Sequence, residues 1–560
     1  MTSTPTWFGP PERPLFGQVH LPAQGTARGM VVMAPPLGKE GGNALLALQT
    51  LAEELADAGV ATLRFDYAGT GDSAGHLDDP DRLTAWRDSI GQAVAQARRM
   101  TSSPVVLLGM RMGALLALDA VRHGVAVDRM VLWDPYASGR EFLRIERTLL
   151  TTWYGVSQAG DGSVTGPAFR YSPVTTVELS GLSLDPDHLP CVEDTLVLVR
   201  RGGRRIAPPT DGPDALDWIE IDGQEELLDV PPQMLTVPAT TLKTLVEWTA
   251  AHVGGAAGTV SFAPEESARV GSTTDGRPVC EHAVRLGPHA LFGVVTEPAP
   301  AADGRDTTGP PTPTVVFLSA GALDHTGAGR MWVEMARRLG RSGVRCLRID
   351  FDGIGETFGR PGQPRQVPKP PEAIDDLVDM SVALGDPDAR TLVFVGLSSG
   401  GYHGLEAGLL LHPRAVVAVN PGITVGVPDG DTGVVDRRRR AYRSMPAVLH
   451  TLSIRHGRVA TWLWQAVLQV WVSRSAFAPV AGVARRGVPL LVIVSEDDAH
   501  EFEPSVYWSA VRRRLHRRGL LEVEVVPGDD HSLYTMPGQN DAYPLVERWV
   551  RARCGVAAGD

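Results

Sequence analysis

The chain has 560 residues, 43% of them apolar and 21% charged, a composition that fits an ordinary globular protein of roughly two to four domains and excludes a disordered or fibrous chain. Its net charge of −12 argues against a nucleic acid or an anionic membrane as partner. Four cysteines (Cys191, Cys280, Cys346, Cys554) without metal-ligand spacing, no opening signal-peptide pattern and no run approaching 18 apolar residues lead us to expect a cytoplasmic protein without disulfides, zinc or other cofactor.

From the N-terminus, short apolar runs alternate with amphipathic stretches. "GMVVMAPP" from Gly29 and "VATLRFD" from Val60 are predicted strands, while "LLALQTLAEELADAG" from Leu45 and "DRLTAWRDSIGQAVAQARRM" from Asp81 are predicted helices. Apolar runs of four to six residues suit strands buried on both faces. Such alternation calls for a parallel sheet joined by right-handed crossovers. The next strand, "VVLLG" from Val105, enters Gly109-Met110-Arg111-Met112-Gly113 and an Ala/Leu-rich helix. That is the build of a nucleophile elbow, but with arginine at its centre.

The same order of segments then recurs. "LFGQVHLPA" from Leu15 returns as "LFGVVTEPA" from Leu291, and "GVATLRFDYAGTGDS" from Gly59 as "GVRCLRIDFDGIGET" from Gly343. "VVLLGMRMG" returns as "LVFVGLSSG" from Leu392, and "IDGQEELLDVP" from Ile221 as "VPGDDHSLYTMP" from Val526. The offsets, about 276 to 305 residues, are far too long for a solenoid, and each copy is large enough for its own core. We therefore expect two homologous domains, residues 1–254 and 255–560, divided in the Gly/Ala/Ser-rich stretch Gly254–Gly276 and packed on each other. The Pro/Gly-rich stretch from Glu297 reads as a long loop inside the second copy.

In the second copy the elbow is Gly396-Leu397-Ser398-Ser399-Gly400, between "TLVFV" and "GYHGLEAGLLL". A serine hydroxyl is a poor nucleophile until a base takes its proton, so a histidine held by a carboxylate should follow. The strand "VPLLVIVSEDDAHEF" supplies Asp497 and Asp498, of which Asp498 lies at the better distance past the strand, and "GDDHSL" supplies His531. Two backbone N–H groups should face the oxyanion: that of Ser399 and, in the loop "SAGALDHTG", that of Ala322 after the turn at Gly321. In the first copy Arg111, Gly202 with Gly203, and Glu226 stand at the positions of Ser398, Asp497 with Asp498, and His531. With all three functions gone, that copy reads as non-catalytic. Arg111 is expected either to pair with Glu226 inside a dead pocket or to hold a carboxylate or phosphate at a helix N-terminus. A helical cap over the second site is expected across about 421–486, with Trp462, Trp464 and Trp471 at helical spacing.

In both halves the chain resembles the α/β-hydrolase superfamily, the first half as a degenerate copy. The second half is similar to bacterial serine-aminopeptidase-like or exosortase-associated hydrolases with an "N-A-G-x-x-x-x-x-G-x-x-R" loop, here "SAGALDHTGAGR" ending at Arg330, with Ser319 in place of the asparagine. The resemblance implies an α/β fold with two tandem hydrolase domains, and Ser398, Asp498 and His531 as a triad. It leaves open hydrolysis of an ester or thioester through an acyl-Ser398 intermediate, or transfer of that acyl group to an alcohol, amine or second acyl unit. The acyl donor would be a small molecule, free or carrier- or CoA-bound. A purely binding role is the remaining class, and the intact second triad speaks against it.

Overall fold

The repeated alternation of strands and helices builds two large sheets rather than one, beside two two-stranded ribbons among the described residues. We describe the chain from a computed structural model, except for residues 1–2, 168, 191, 203–205, 207, 209–215, 301–312, 369, 371, 422–477, 497, 500–505, 528–530, 532, 534–535 and 557–560. In the first sheet the strands lie in the order Thr4–Phe8, Leu15–His20, Ala61–Phe65, Met30–Ala34, Val105–Met110, Arg129–Trp133, Asp194–Arg200 and Leu216–Ile221. Leu15–His20 pairs antiparallel on both its sides, and every later pairing is parallel.

The second sheet runs Ser267–Ser272, Pro278–Leu286, Leu291–Pro298, Arg345–Ile349, Thr314–Leu318, Leu392–Leu397, Ala415–Val419, Leu490–Ser495 and Leu521–Val526. Its first three pairings are antiparallel and the others parallel. The central strands Met30–Ala34, Val105–Met110, Thr314–Leu318 and Leu392–Leu397 are buried at every position. This is why they read as continuous apolar runs: helices cover both faces of a parallel sheet. The helix Met331–Arg341 shows the packing. It buries Met331, Trp332, Met335, Ala336 and Leu339, and Trp332 stacks on Phe317 with ring centroids 5.0 Å apart.

The two halves meet along the turns "FDYAGTGDS" and "IDFDGIGET", and the repeat is visible there atom by atom. Asp66 Oδ2 accepts the Asp72 N–H at 2.9 Å, and Asp350 Oδ2 accepts the Glu356 N–H at 2.8 Å. Arg64 of the first half forms a bidentate pair with Glu356 of the second, at 2.9 and 2.8 Å. Reciprocally, Arg348 of the second half pairs with Asp72 of the first, and with Glu281 at 2.9 Å. Corresponding residues thus make corresponding contacts in both directions, the pattern of an isologous interface formed within one chain. Burial would raise the Asp72 carboxyl, but Arg348 and His325 outweigh it and hold its pKa below the usual range. Trp7 and Phe16 pack with Ala268, Phe292 and Val294 in an apolar cluster beside these pairs.

The expected cap lies almost wholly outside the described residues, as do Trp462, Trp464, Trp471, Asp497, Gly203 and Cys191. Cys280, Cys346 and Cys554 are free thiols. Among the described residues no helix is long and apolar enough to cross a membrane.

Candidate active site

Ser398 stands between the strand Leu392–Leu397 and the helix Ser399–Leu410, at φ 52° and ψ −115°. An L-residue in this region carries strain of order 1–3 kcal/mol, tolerated where the surroundings dictate it. Here they do. A Cβ on Gly400 would come within 2.2 Å of the Leu318 carbonyl oxygen, so the helix can start this close to the neighbouring strand only on glycine. The Ser398 N–H donates to Val419 O at 2.9 Å, which ties the turn to the next strand.

The hydroxyl so presented meets its partners. Ser398 Oγ lies 2.8 Å from His531 Nε2, and His531 Nδ1 lies 2.6 Å from Asp498 Oδ2. The histidine comes from a turn beyond the strand Leu521–Val526 and the aspartate from a helical turn just past Leu490–Ser495, so three strand ends converge. Asn420, buried at the end of a fourth strand, was not singled out by the sequence. Its Nδ2 donates to His531 O at 2.9 Å, and its Oδ1 accepts the Ser495 N–H at 2.7 Å. It braces the histidine loop against the strand that leads to Asp498. A polar residue directly after "AVVAV" was the only available signal.

The loop after Thr314–Leu318 lies against the elbow. The Gly321 N–H donates to Ser399 Oγ at 2.7 Å, and Ala322 beside it is buried. Within the loop, Ser319 Oγ donates to Asp324 O at 2.5 Å and the Leu323 N–H to Ala320 O at 3.0 Å. Gln539 Nε2 donates both to Ala328 O, at 2.9 Å, and to Leu533 O, at 2.8 Å. The loop bearing Ala322 and the loop bearing His531 are thereby joined. Arg330, which closes the sequence motif, is buried and reaches into the first half, donating to the carbonyls of Gly71, Ser73 and Gly75 at 2.6, 2.6 and 2.9 Å.

The first half repeats the elbow with an arginine at its centre. Arg111 sits at φ 55° and ψ −121°, and its N–H donates to Trp133 O at 3.0 Å, the counterpart of Val419 O. A Cβ on Gly113 would lie 2.3 Å from Ala34 O, the same restriction as at Gly400. The expected pair between Arg111 and Glu226 does not form. Glu226 is exposed on the helix Gln224–Leu228, which turns Gln224, Leu227 and Leu228 inward instead; Trp133 Nε1 donates to Gln224 Oε1 at 2.8 Å.

Arg111 is saturated from other directions. Its Nε and Nη2 reach Glu40 Oε1 at 3.0 and 2.9 Å, its Nη1 reaches Asp134 Oδ2 at 3.2 Å, and its guanidinium lies 3.9 Å over the Tyr136 ring. Burial would lower its pKa, but Glu40, Tyr136 and Asp134 outweigh that and raise it. Asp134 is also bound by Arg200 Nε at 2.7 Å.

Residues 315–540 match the alpha/beta hydrolase family, and residues 26–168 match the serine aminopeptidase (S33) branch. The chain belongs to the α/β-hydrolase superfamily and carries two hydrolase-like regions. Among solved structures it is similar to a lidless serine hydrolase of Xanthomonas campestris (17% identity, 45% of this chain and 94% of that one, TM-score 0.27). It is also similar to Est1E of Butyrivibrio proteoclasticus, solved with ferulic acid (16%, 44% and 96%, TM-score 0.32), and to an esterase of Pyrobaculum calidifontis (17%, 50% and 86%, TM-score 0.28). No curated protein matches the chain.

Proposed function

We propose that the second half is a serine hydrolase that cleaves an ester or thioester through an acyl-Ser398 intermediate, with His531 as base and Asp498 as the carboxylate that orients it. The observation that carries this reading is the hydrogen-bond chain Ser398–His531–Asp498, at 2.8 and 2.6 Å, at the head of a strained elbow. His531 Nε2 takes the hydroxyl proton as Oγ attacks the acyl carbon. The N–H groups of Ser399 and Ala322 receive the oxyanion, a contribution usually worth about 3–4 kcal/mol per donor. The imidazolium then protonates the leaving alcohol or thiol as its bond to the acyl carbon breaks. Water, deprotonated by the same nitrogen, releases the acid and restores Ser398. An alcohol or amine in place of water gives acyl transfer from the same intermediate.

The first half, residues 1–254, is on this reading non-catalytic. Arg111 occupies the nucleophile position, and its ion pairs with Glu40 and Asp134 favour a structural relic over an anion-binding site.

The test combines a fluorophosphonate probe with p-nitrophenyl esters and acyl thioesters of varied chain length. Labelling confined to Ser398, with release of free acid, supports hydrolysis. Acyl product that grows with added alcohol or amine at the expense of free acid moves the assignment to transfer. A wild-type protein that neither labels at Ser398 nor turns over any substrate overturns the reading.

A further inference from the structure

We propose that the first half acts in the reaction of the second by clamping its oxyanion loop, with Asp72 as a positioning residue that works through His325. This rests on the reading of Ser398 as nucleophile and of Ala322 as an oxyanion donor.

His325 lies three residues beyond Ala322 in the loop and is buried between two carboxylates from different halves of the chain. Its own half supplies Asp350, which accepts the His325 N–H at 2.5 Å and meets Nδ1 at 2.9 Å. The first half supplies Asp72, whose Oδ2 meets Nε2 at 2.7 Å. Burial would discharge the imidazole, but Asp350 and Asp72 outweigh it and push its pKa well above the ordinary value. The ring is therefore a cation with both N–H groups committed, and it joins the loop to both halves at once.

Arg330, five residues on, repeats the device through the carbonyls of Gly71, Ser73 and Gly75. The two anchors fall on one short turn of the first half, residues 71–75, which thus grips the second half of the loop. The rear of the loop faces a cavity of about 200 Å³ lined by Leu323, Asp324 and His325 on one side and by Gly38 and Arg64 on the other. The loop is also packed, with the His325 ring edge-on to Phe292 at 5.0 Å and Leu323 against the apolar core, and the polar anchors tie that packed loop to the first half.

The Arg64–Glu356 and Arg348–Asp72 pairs are reciprocal, but the contacts that His325, Arg330 and Arg337 make with residues 71–75 are found, among the described residues, on this side alone. Glu356, the counterpart of Asp72, meets Arg64, whose Nε donates to His20 at 3.2 Å. In the first half the segment after Met30–Ala34 runs Pro35-Pro36-Leu37-Gly38 straight into the helix Lys39–Asp57, with no histidine in it. The clamp exists on the side that carries Ser398. A first half without a triad of its own still has this work to do.

Asp72→Asn removes the charge and keeps the shape. His325→Asn keeps a donor for Asp350 but is too short to reach Asp72. Glu356→Gln is the control, a buried carboxylate on the reciprocal cross-domain pair whose side chain bonds Arg64 rather than the loop, and whose backbone N–H to Asp350 the change leaves in place. Each variant is assayed in the full chain for thermal unfolding, for the rate of Ser398 labelling by the fluorophosphonate, and for kcat and KM on a p-nitrophenyl ester.

A misplaced donor is expected to slow acylation about 10- to 100-fold. Asp72→Asn and His325→Asn should both show this loss in labelling rate and kcat, with KM changed less than about twofold. Glu356→Gln should lower the unfolding temperature but acylate within about twofold of wild type. The clamp is refuted if folded Asp72→Asn or His325→Asn labels at the wild-type rate, or if Glu356→Gln is slowed as much as they are. Should Asp72→Asn fail to fold, His325→Asn decides alone. A wild-type chain that does not label at Ser398 removes the underlying hydrolase reading as well, an outcome distinct from normal labelling that the variants leave unchanged.

Discussion

Arg111 and Ser398 hold the same left-handed backbone conformation, φ 55° with ψ −121° and φ 52° with ψ −115°, at the same strand-to-helix turn of two related sheets. The turn therefore persists without a nucleophile in it, because the close strand–helix approach at Gly113 and Gly400 dictates the backbone. Arg111→Ser rebuilds the Gly-x-Ser-x-Gly sequence, and in a Ser398→Ala background it should give neither labelling nor turnover. It also strips the Glu40 and Asp134 carboxylates of a buried partner, at an expected cost of about 3–5 kcal/mol. Urea unfolding measures the loss. Unchanged stability would show that these carboxylates are solvated and that the pairs are idle.

Ser398→Ala and His531→Ala should each lower kcat by about 10³-fold or more while the folded baseline is preserved. Labelling of the Ser398→Ala protein at another serine would overturn the nucleophile assignment. Asp498→Asn should cost far more activity than Asp497→Asn. The reverse ranking moves the orienting role to Asp497.

Asn420 makes one hydrogen bond to the His531 loop and one to Ser495, at 2.9 and 2.7 Å. Asn420→Ala leaves a buried donor and acceptor unmet, for a loss of about 1–3 kcal/mol in guanidinium unfolding. Because the brace also holds His531, kcat should fall more than KM rises. A folded variant with wild-type kcat would assign Asn420 to stability alone.

Glu146, buried in the first half, has its carboxyl pushed from 4.5 up to about 8 by burial, reinforced by Glu40. The folded state keeps a proton that the unfolded chain releases. The contribution to stability is thus complete below about pH 4.5 and is lost as pH rises through about 8. Glu146→Gln has no proton to lose. Its melting temperature relative to wild type should therefore improve between about pH 5 and pH 9, and a pH-independent difference would rule out the buried acid as the cause.

Much of this protein can be read in its amino-acid order. The two mostly parallel sheets appear as apolar runs alternating with helical periodicity, since a strand covered on both faces must be apolar throughout. Both elbows appear as paired glycines between strand and helix, since steric exclusion at a close approach acts through residues adjacent in the chain. Ser398, Asp498 and His531 appear because each follows its own strand, and parallel strands deliver their C-terminal ends to one edge of the sheet.

Partner choice was decided only by the tertiary structure. Glu226 stands at the sequence position opposite Arg111, yet Arg111 pairs with Glu40 and Asp134, because the short helix Gln224–Leu228 turns Glu226 to the surface while the start of Lys39–Asp57 lies over the elbow. The His325–Asp72 contact joins residues 253 positions apart, and nothing in either local segment marks the other. A backbone conformation depends on its immediate neighbours and so leaves a local signature. An ion pair depends on which loops the docking of two sheets brings together, and that is a property of the folded chain alone.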